Sequence, residues 1–495
     1  MKTMKRLGFR LSRGLLLGLC TSLLAACQAP ARAPGRGPTA LRQSEKTQRE
    51  SVAVTVYNQN FGVVKDTRRL KLAPGLVELS FKDVSAKIQP ETVQLHSLTP
   101  GARLEVLEQN YRYDLLSPSK LLEKYVGKSI TVYRYDEKTG QDVKKSAEVL
   151  SVEGGVVLRI DGEVTAIAAG SGWRFAFPEV PSTLLERPTL VWLLDSDRAE
   201  QRVELTYLTQ NLNWRADYVL KLSADDTKAD LNGWVTLDNT SGTSYENASL
   251  RLVAGDVNRV QPRPESKTID LAEVEMDDAA PEKPQFRQEN LFEYHRYTLE
   301  RPTSLLDKET KQVSLLSAEG VSVVKKLVFN GQPYFYRGRY GQLASNQKVG
   351  VFVEFQNSEL NRLGMPLPKG IVRLYKSDSA GALQFVGEDS IDHTPRDEKV
   401  ALKVGEAFDV VGDRVQKDWS QVGSCVAEGS FEVELRNHKD TDVQVEMNEP
   451  AGADWELLSQ SQPAVKVDAA TFRFDVKVPA RGSSKVSYRI RVRYC

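Results

Sequence analysis

Between Gly387 and Glu398 the chain reads GEDSIDHTPRDE, which gathers five carboxylates and one imidazole within a dozen residues. Oxygen ligands grouped in this way suit hard divalent cations such as calcium or magnesium. Glu388, Asp389, Asp392 and His393 are therefore the candidate metal-ligating set. The spacing differs from that of an EF-hand loop, and apolar strand-like runs flank the segment, so a solvated connection between strands is the stronger reading. Asp195, Asp197 and Asp256 raise the same question with less support. The four histidines (His96, His295, His393 and His438) are far apart and form no HxxxH or HxH pair. No GxSxG elbow supports a serine triad. No catalytic residue is assigned and no cofactor is expected.

Cysteine chemistry gives the clearer signal. Lys2, Lys5, Arg6, Arg10 and Arg13 precede an apolar run at 14–24, and Leu24-Ala25-Ala26-Cys27 follows. A basic start, an apolar stretch and small residues at a cut form the layout of a secretory signal. A cysteine directly after the small residues resembles the bacterial lipobox, whose thiol is acylated and becomes the new N-terminus. The apolar run is about half the roughly 20 residues that a spanning helix needs, which argues against a permanent transmembrane anchor. Gln28 follows in place of the aspartate that usually retains lipoproteins in the inner membrane. An outer-membrane lipoprotein, periplasm-facing or surface-exposed and held by lipid on Cys27, is expected. An ordinary cleaved signal is the alternative.

Removing five basic residues with the signal takes 67 to 62 against 66 acidic, a net charge of −4. That balance excludes the strong basic bias of a nucleic-acid partner. Cys425 and Cys495 then remain as a disulfide candidate, because two thiols in an oxidising compartment are more often paired than free. No CxxC or Cys/His grouping supports a zinc site.

The elements that must position these groups are strands. Val52, Val54 and Val56 alternate with Ala53, Thr55 and Tyr57, and 76–81 alternates in the same way. Period-two patterning marks half-buried strands. Similar runs recur at 203–208, 231–237, 351–355, 370–375, 431–435 and 486–492. The clearest helix is at 117–125, where Ser117 caps and Pro118 suits the first turn. Asp161-Gly162 between two apolar runs is a two-residue hairpin signal.

The expected fold is all-β, a multi-domain β-sandwich architecture with a small inserted β-barrel-like module and an immunoglobulin-like C-terminal domain. The expected division is a signal at 1–26, a lipidated cysteine and disordered tether at 27–50, and an N-terminal β region at 51–114. A small module with one short helix follows at 115–181. Sandwich parts are expected at 182–256 and 291–422, separated by an acidic, proline-containing disordered loop at 257–290. The C-terminal domain is expected at 423–495. Exposed aromatic faces serve carbohydrate sites, and Trp173, Trp192, Trp214, Trp234, Trp419 and Trp455 are candidates. Sandwich cores also use tryptophan heavily, so core packing is the stronger reading for each, the strand-embedded Trp234 included.

Several stretches carry a resemblance. They are 205–208 (LTYL), 213–218 (NWRADY), Gly233-Trp234-Val235 with Asp238-Asn239-Thr240, and 250–256 (LRLVAGD). Further on come 294–299 (YHRYTL), Leu367-Pro368-Lys369-Gly370 with Arg373-Leu374-Tyr375, Gly387-Glu388-Asp389, and Phe408-Asp409-Val410. In this order, from about 190 to the C-terminus, they resemble the family termed domain of unknown function 4139, which includes mucoidy-inhibitor-like envelope proteins. The resemblance implies a β-rich envelope protein and brings no catalytic residues to carry over. The chain lacks the coiled coil of longer members, and the module at 115–181 takes that place.

Together these features point to a membrane-anchored envelope lipoprotein with a non-catalytic binding or scaffold role. Its expected partners are the membrane, through the lipid, and envelope proteins or polysaccharide. The alternative is an envelope hydrolase or a divalent-metal-dependent enzyme using the 387–398 cluster. A third class, a transport or assembly accessory, also fits a tethered β protein.

Overall fold

The structure, a computed structural model, describes residues 41–168, 170–259, 286–452 and 454–494. The signal, Cys27, residues 28–40 of the tether, residues 260–285 of the acidic loop and Cys495 lie outside the described residues. Within them the protein is all-β, with five sheets of four to nine strands, one short α-helix and a few 3₁₀ turns.

Strand parity sets the cores. Arg49–Tyr57 buries Val52, Val54 and Val56, while Gly75–Lys82 buries Val77, Leu79 and Phe81. With the buried alternation of Glu200–Gln210 and Leu212–Leu222 they build one large core that runs from Val52 to Leu402. The N-terminal region is therefore packed into the same core as the later strands. Arg49–Tyr57 pairs in parallel with Tyr245–Ala254, with Val54 opposite Leu250.

Two expectations about flexible segments are corrected. Residues 41–50 were expected in the tether, yet Leu41–Ser44 pairs in parallel with Gly75–Lys82, and Ser44 is fully buried. The strand is at a sheet edge and exposes its other three side chains, so its composition is that of a solvated segment. Likewise Phe286–Leu291, at the end of the expected loop, forms a hairpin with Tyr294–Leu299 and buries Phe286 completely.

The small module holds its own core of Leu122, Ile130, Val132, Val149 and Leu158. Its helix, Pro118–Lys124, starts where Ser117 accepts the Lys120 N–H at 3.2 Å. The Asp161-Gly162 turn takes positive φ at both residues (53° and 89°) and closes Val156–Ile160 onto Glu163–Ile167.

The C-terminal sheet has nine strands and begins well before residue 423, with Val324–Asn330 and Gln342–Gln356 inside it. The expected division at 422/423 falls at the tip of a hairpin between Lys399–Gly423 and Val426–Asn437. Lys399–Gly423 is one strand serving two cores. Val400 and Leu402 belong to the large core, whereas Ala407 and Val410 belong to the C-terminal one. Composition does not show such a boundary, because one unbroken strand crosses it.

Candidate functional site

The acidic cluster is divided between the strand Leu383–Ile391, which carries Glu388 and Asp389, and the connection after it, which carries Asp392 and His393. Gly370–Ser377 pairs with Leu383–Ile391, setting Glu388 opposite Arg373 and Asp389 opposite Val372. Successive strand side chains point to opposite faces, so Glu388 and Asp389 diverge. Glu388 lies 3.3 Å from Arg373 Nε, while Asp389 Oδ2 accepts the Lys403 N–H at 2.7 Å. Asp392 turns back to accept the His393 N–H at 2.8 Å. His393 Nδ1 accepts the Lys369 N–H at 3.2 Å, and its Nε2 lies 3.2 Å from Asn58 Nδ2. Burial, followed by the nearby Lys369 ammonium, pushes its pKa down. Among the described residues no three His, Cys, Asp or Glu side chains gather as a metal-ligand set. Glu388, Asp389, Asp392 and His393 are not brought together.

A different surface emerges on the same sheet. In the order Glu309–Ser322, Lys228–Asn239, Leu212–Leu222, Gly370–Ser377, Leu383–Ile391, its first four strands bury one face and leave the other more open to solvent, while the edge strand Leu383–Ile391 buries only Ile391. Trp214, Tyr218, Leu220, Leu231, Val235 and Leu374 point into the large core. Gly233 is small because a Cβ there would come 3.1 Å from the Tyr218 ring. Trp234 lies on the opposite face, 40% exposed, which corrects the expectation that it is buried. The flanking pattern contained the signal: Leu231, Gly233, Val235 and Leu237 are the inward set, so Trp234 falls on the outward parity.

Around Trp234 the outer face is a lattice of mutually neutralising polar groups. Asp217 stands opposite both Trp234 and Ile371 on the neighbouring strands. It accepts from Thr236 Oγ1 at 2.7 Å and from Arg373 Nη1 at 3.0 Å. Arg215 donates to Asp238 at 2.8 Å, and Thr310 donates to the other oxygen of that carboxylate at 2.6 Å. Four residues along the strand direction, Tyr375 meets Phe385 edge-to-face with ring centroids 5.6 Å apart, and Phe385 is 54% exposed. From strand rise and spacing, Trp234 and Tyr375 stand roughly 17 Å apart on one face. The surface offers two aromatic platforms joined by fixed hydrogen-bonding groups.

The remaining tryptophans divide between core and half-buried positions. Trp192 and Trp214 are buried, and Trp173, Trp419 and Trp455 are half-buried. Trp214 donates to the Val253 carbonyl at 3.1 Å, Tyr218 to Pro368 at 2.8 Å and Tyr297 to Pro366 at 2.9 Å. Lys369 pairs with Asp256 at 3.5 Å. Four of the stretches that carry the family resemblance are thereby drawn together in space. Cys425 lies where the last strand returns, since Arg493 is opposite Val426 and the Tyr494 N–H donates to the Cys425 carbonyl at 3.0 Å.

No family model matches the chain, and no curated protein matches it in sequence. Among the described residues no helix is long and apolar enough to cross a membrane.

Proposed function

We propose that this protein is a lipid-tethered component of the bacterial envelope that binds polysaccharide without transforming it. The observation that carries the reading is Trp234, exposed on a rigid sheet face among paired polar side chains. A sugar ring has a C–H face that packs on an indole and hydroxyls at its rim that exchange hydrogen bonds with carboxylates and guanidiniums. The lattice is already charge-paired, which suits a neutral polymer better than a charged one. The exposed sheet face is fixed by the large core behind it, so ordering costs on binding are small.

The leader supports attachment through acylated Cys27 in the outer membrane, with residues 28–40 between the lipid and the first described strand. The likeness to the domain of unknown function 4139 is part of the same proposal. So is a Cys425–Cys495 disulfide.

The binding reading is tested by affinity gel electrophoresis of the folded protein in hydroxyethylcellulose and dextran. Retardation by either polymer, weakened at least tenfold in Trp234→Ala with an unchanged melting temperature, is the expected result. Equal retardation of Trp234→Ala and the unsubstituted protein, or none in either polymer, overturns it. The tether is tested separately by an alkyne fatty-acid label, expected on the protein and lost in Cys27→Ser.

A further inference from the structure

The turn that opens the C-terminal core presents a second, chemically different surface. Residues 327–353 contain Arg337, Arg339 and Lys348 and no acidic side chain. Within them Pro333–Tyr336 forms a 3₁₀ turn whose Phe335 and Tyr336 are buried. Tyr336 donates to Glu449 at 2.6 Å, and its carbonyl accepts from Trp419 Nε1 at 3.4 Å. Gln416, itself buried, ties down the rest of the turn. Its amide nitrogen donates to the Phe335 carbonyl at 3.2 Å and the Gly338 carbonyl at 2.9 Å, and its oxygen accepts the Tyr340 N–H.

That anchoring fixes what faces outward. Tyr334 (51% exposed) and Tyr340 (43%) meet at right angles, with ring centroids 5.8 Å apart. Arg337 and Arg339 are exposed beside them. Arg339 donates to the Trp419 carbonyl at 3.1 Å. Among the described residues no carboxylate pairs with either guanidinium, whereas Lys417 close by is paired with Glu432 at 3.2 Å. Two cations left without counter-charge beside two fixed aromatic faces make a surface complementary to an anion that also has an apolar face.

We propose that the Tyr334–Tyr340 turn is a second carbohydrate contact, selective for carboxylated polysaccharide. A uronate residue carries both required groups on one ring: a planar carboxylate that accepts two N–H bonds from an arginine fork, and a C–H face that stacks on tyrosine. Because Gln416 holds the turn before any ligand arrives, little conformational freedom is lost on binding. The inference rests on residues separate from the Trp234 face, so either site can fail without the other.

The test is binding of the full chain to polygalacturonate, measured by affinity electrophoresis and isothermal titration. Dextran and vesicles of phosphatidylcholine with phosphatidylglycerol serve as comparison probes. Binding to polygalacturonate is expected to weaken at least tenfold in Arg337→Gln and in Tyr334→Ala, and to weaken with added salt. Arg337→Lys, which keeps the charge and loses the fork, is expected to fall between. Trp234→Ala is expected to leave polygalacturonate binding unchanged. Both altered side chains are exposed, so unchanged melting temperatures check the fold. No binding of polygalacturonate, equal binding by Arg337→Gln, or binding of the anionic vesicles alone overturns the proposal.

Discussion

Arg414 and Glu449 form an ion pair with no solvent exposure on either side chain, in the middle of the C-terminal sheet core. Tyr336 donates to the second Glu449 oxygen at 2.6 Å and lies 3.1 Å from the Tyr488 hydroxyl. Arg414 lies 5.0 Å from the ring centroids of Phe329 and Phe335, and among the described residues its Nε and Nη1 have no hydrogen-bond partner. Removing one partner of such a pair strands the other charge, which costs about 3–5 kcal/mol, whereas replacing both with apolar residues is often neutral. Arg414→Met and Glu449→Leu are each expected to lose about that much, and the double variant to regain most of it. Thermal and urea unfolding of the four proteins in a double-mutant cycle measures the coupling. Additive losses would show that the two charges do not stabilise one another.

Asp66 makes the corresponding cluster in the large core. It accepts from Arg68 at 2.9 Å and Arg49 at 2.6 Å, and Arg68 lies 3.7 Å above the Phe81 ring. Arg68 also reaches Ser44 at 3.3 Å, so the cluster holds the first described strand. Burial opposes ionisation of Asp66, but the Arg68 and Arg49 guanidiniums outweigh it and hold the pKa below the usual value. A depressed carboxylate contributes stability above its unfolded pKa of about 3.9, and that contribution is lost as pH falls through the folded value. Asp66→Asn is therefore expected to lower the melting temperature at pH 7 and to flatten its decline below about pH 4. Melting curves from pH 7 to pH 2.5 decide this. An acid limb parallel to that of the unsubstituted protein would assign the acid sensitivity to other carboxylates.

Both buried clusters were legible in the sequence by parity, though not by composition. Val64, Asp66, Arg68 and Leu70 share one side of a strand, as do Val410, Gly412, Arg414 and Gln416. A charge on the apolar parity of a strand marks a buried group needing a partner, and the same rule read in reverse places Trp234 outside. The pairing itself was hidden, since Arg414 and Glu449 are brought together only by the assembled sheet. Strands with period-two apolar residues, the Asp161-Gly162 turn and the Ser117 cap rest on local physics and could be read directly. Leu41–Ser44 and Phe286–Leu291 could not, because edge strands bury few side chains and keep a solvated composition. The weaker, metal-site reading of the 387–398 cluster fails because nearness in sequence does not gather side chains. Glu388 and Asp389 are strand neighbours that point to opposite faces, and Asp392 and His393 follow in the connection beyond Ile391.

The return of the last strand beside Cys425 leads to a covalent prediction. Gly482–Arg493 runs antiparallel to Val426–Asn437 through twelve paired positions, and the Tyr494 N–H closes on the Cys425 carbonyl. A bond from Cys425 to Cys495 would close a loop of about 70 residues. Loop-closure entropy in the unfolded chain sets its contribution at about 4 kcal/mol for a loop of this length. Protein from an oxidising compartment is expected to give a peptide linking the two cysteines in a non-reducing digest. Reductant, or Cys425→Ser, is expected to lower the melting temperature by a similar amount in each case. Full alkylation of both thiols in folded protein without prior reduction would show that the bond does not form.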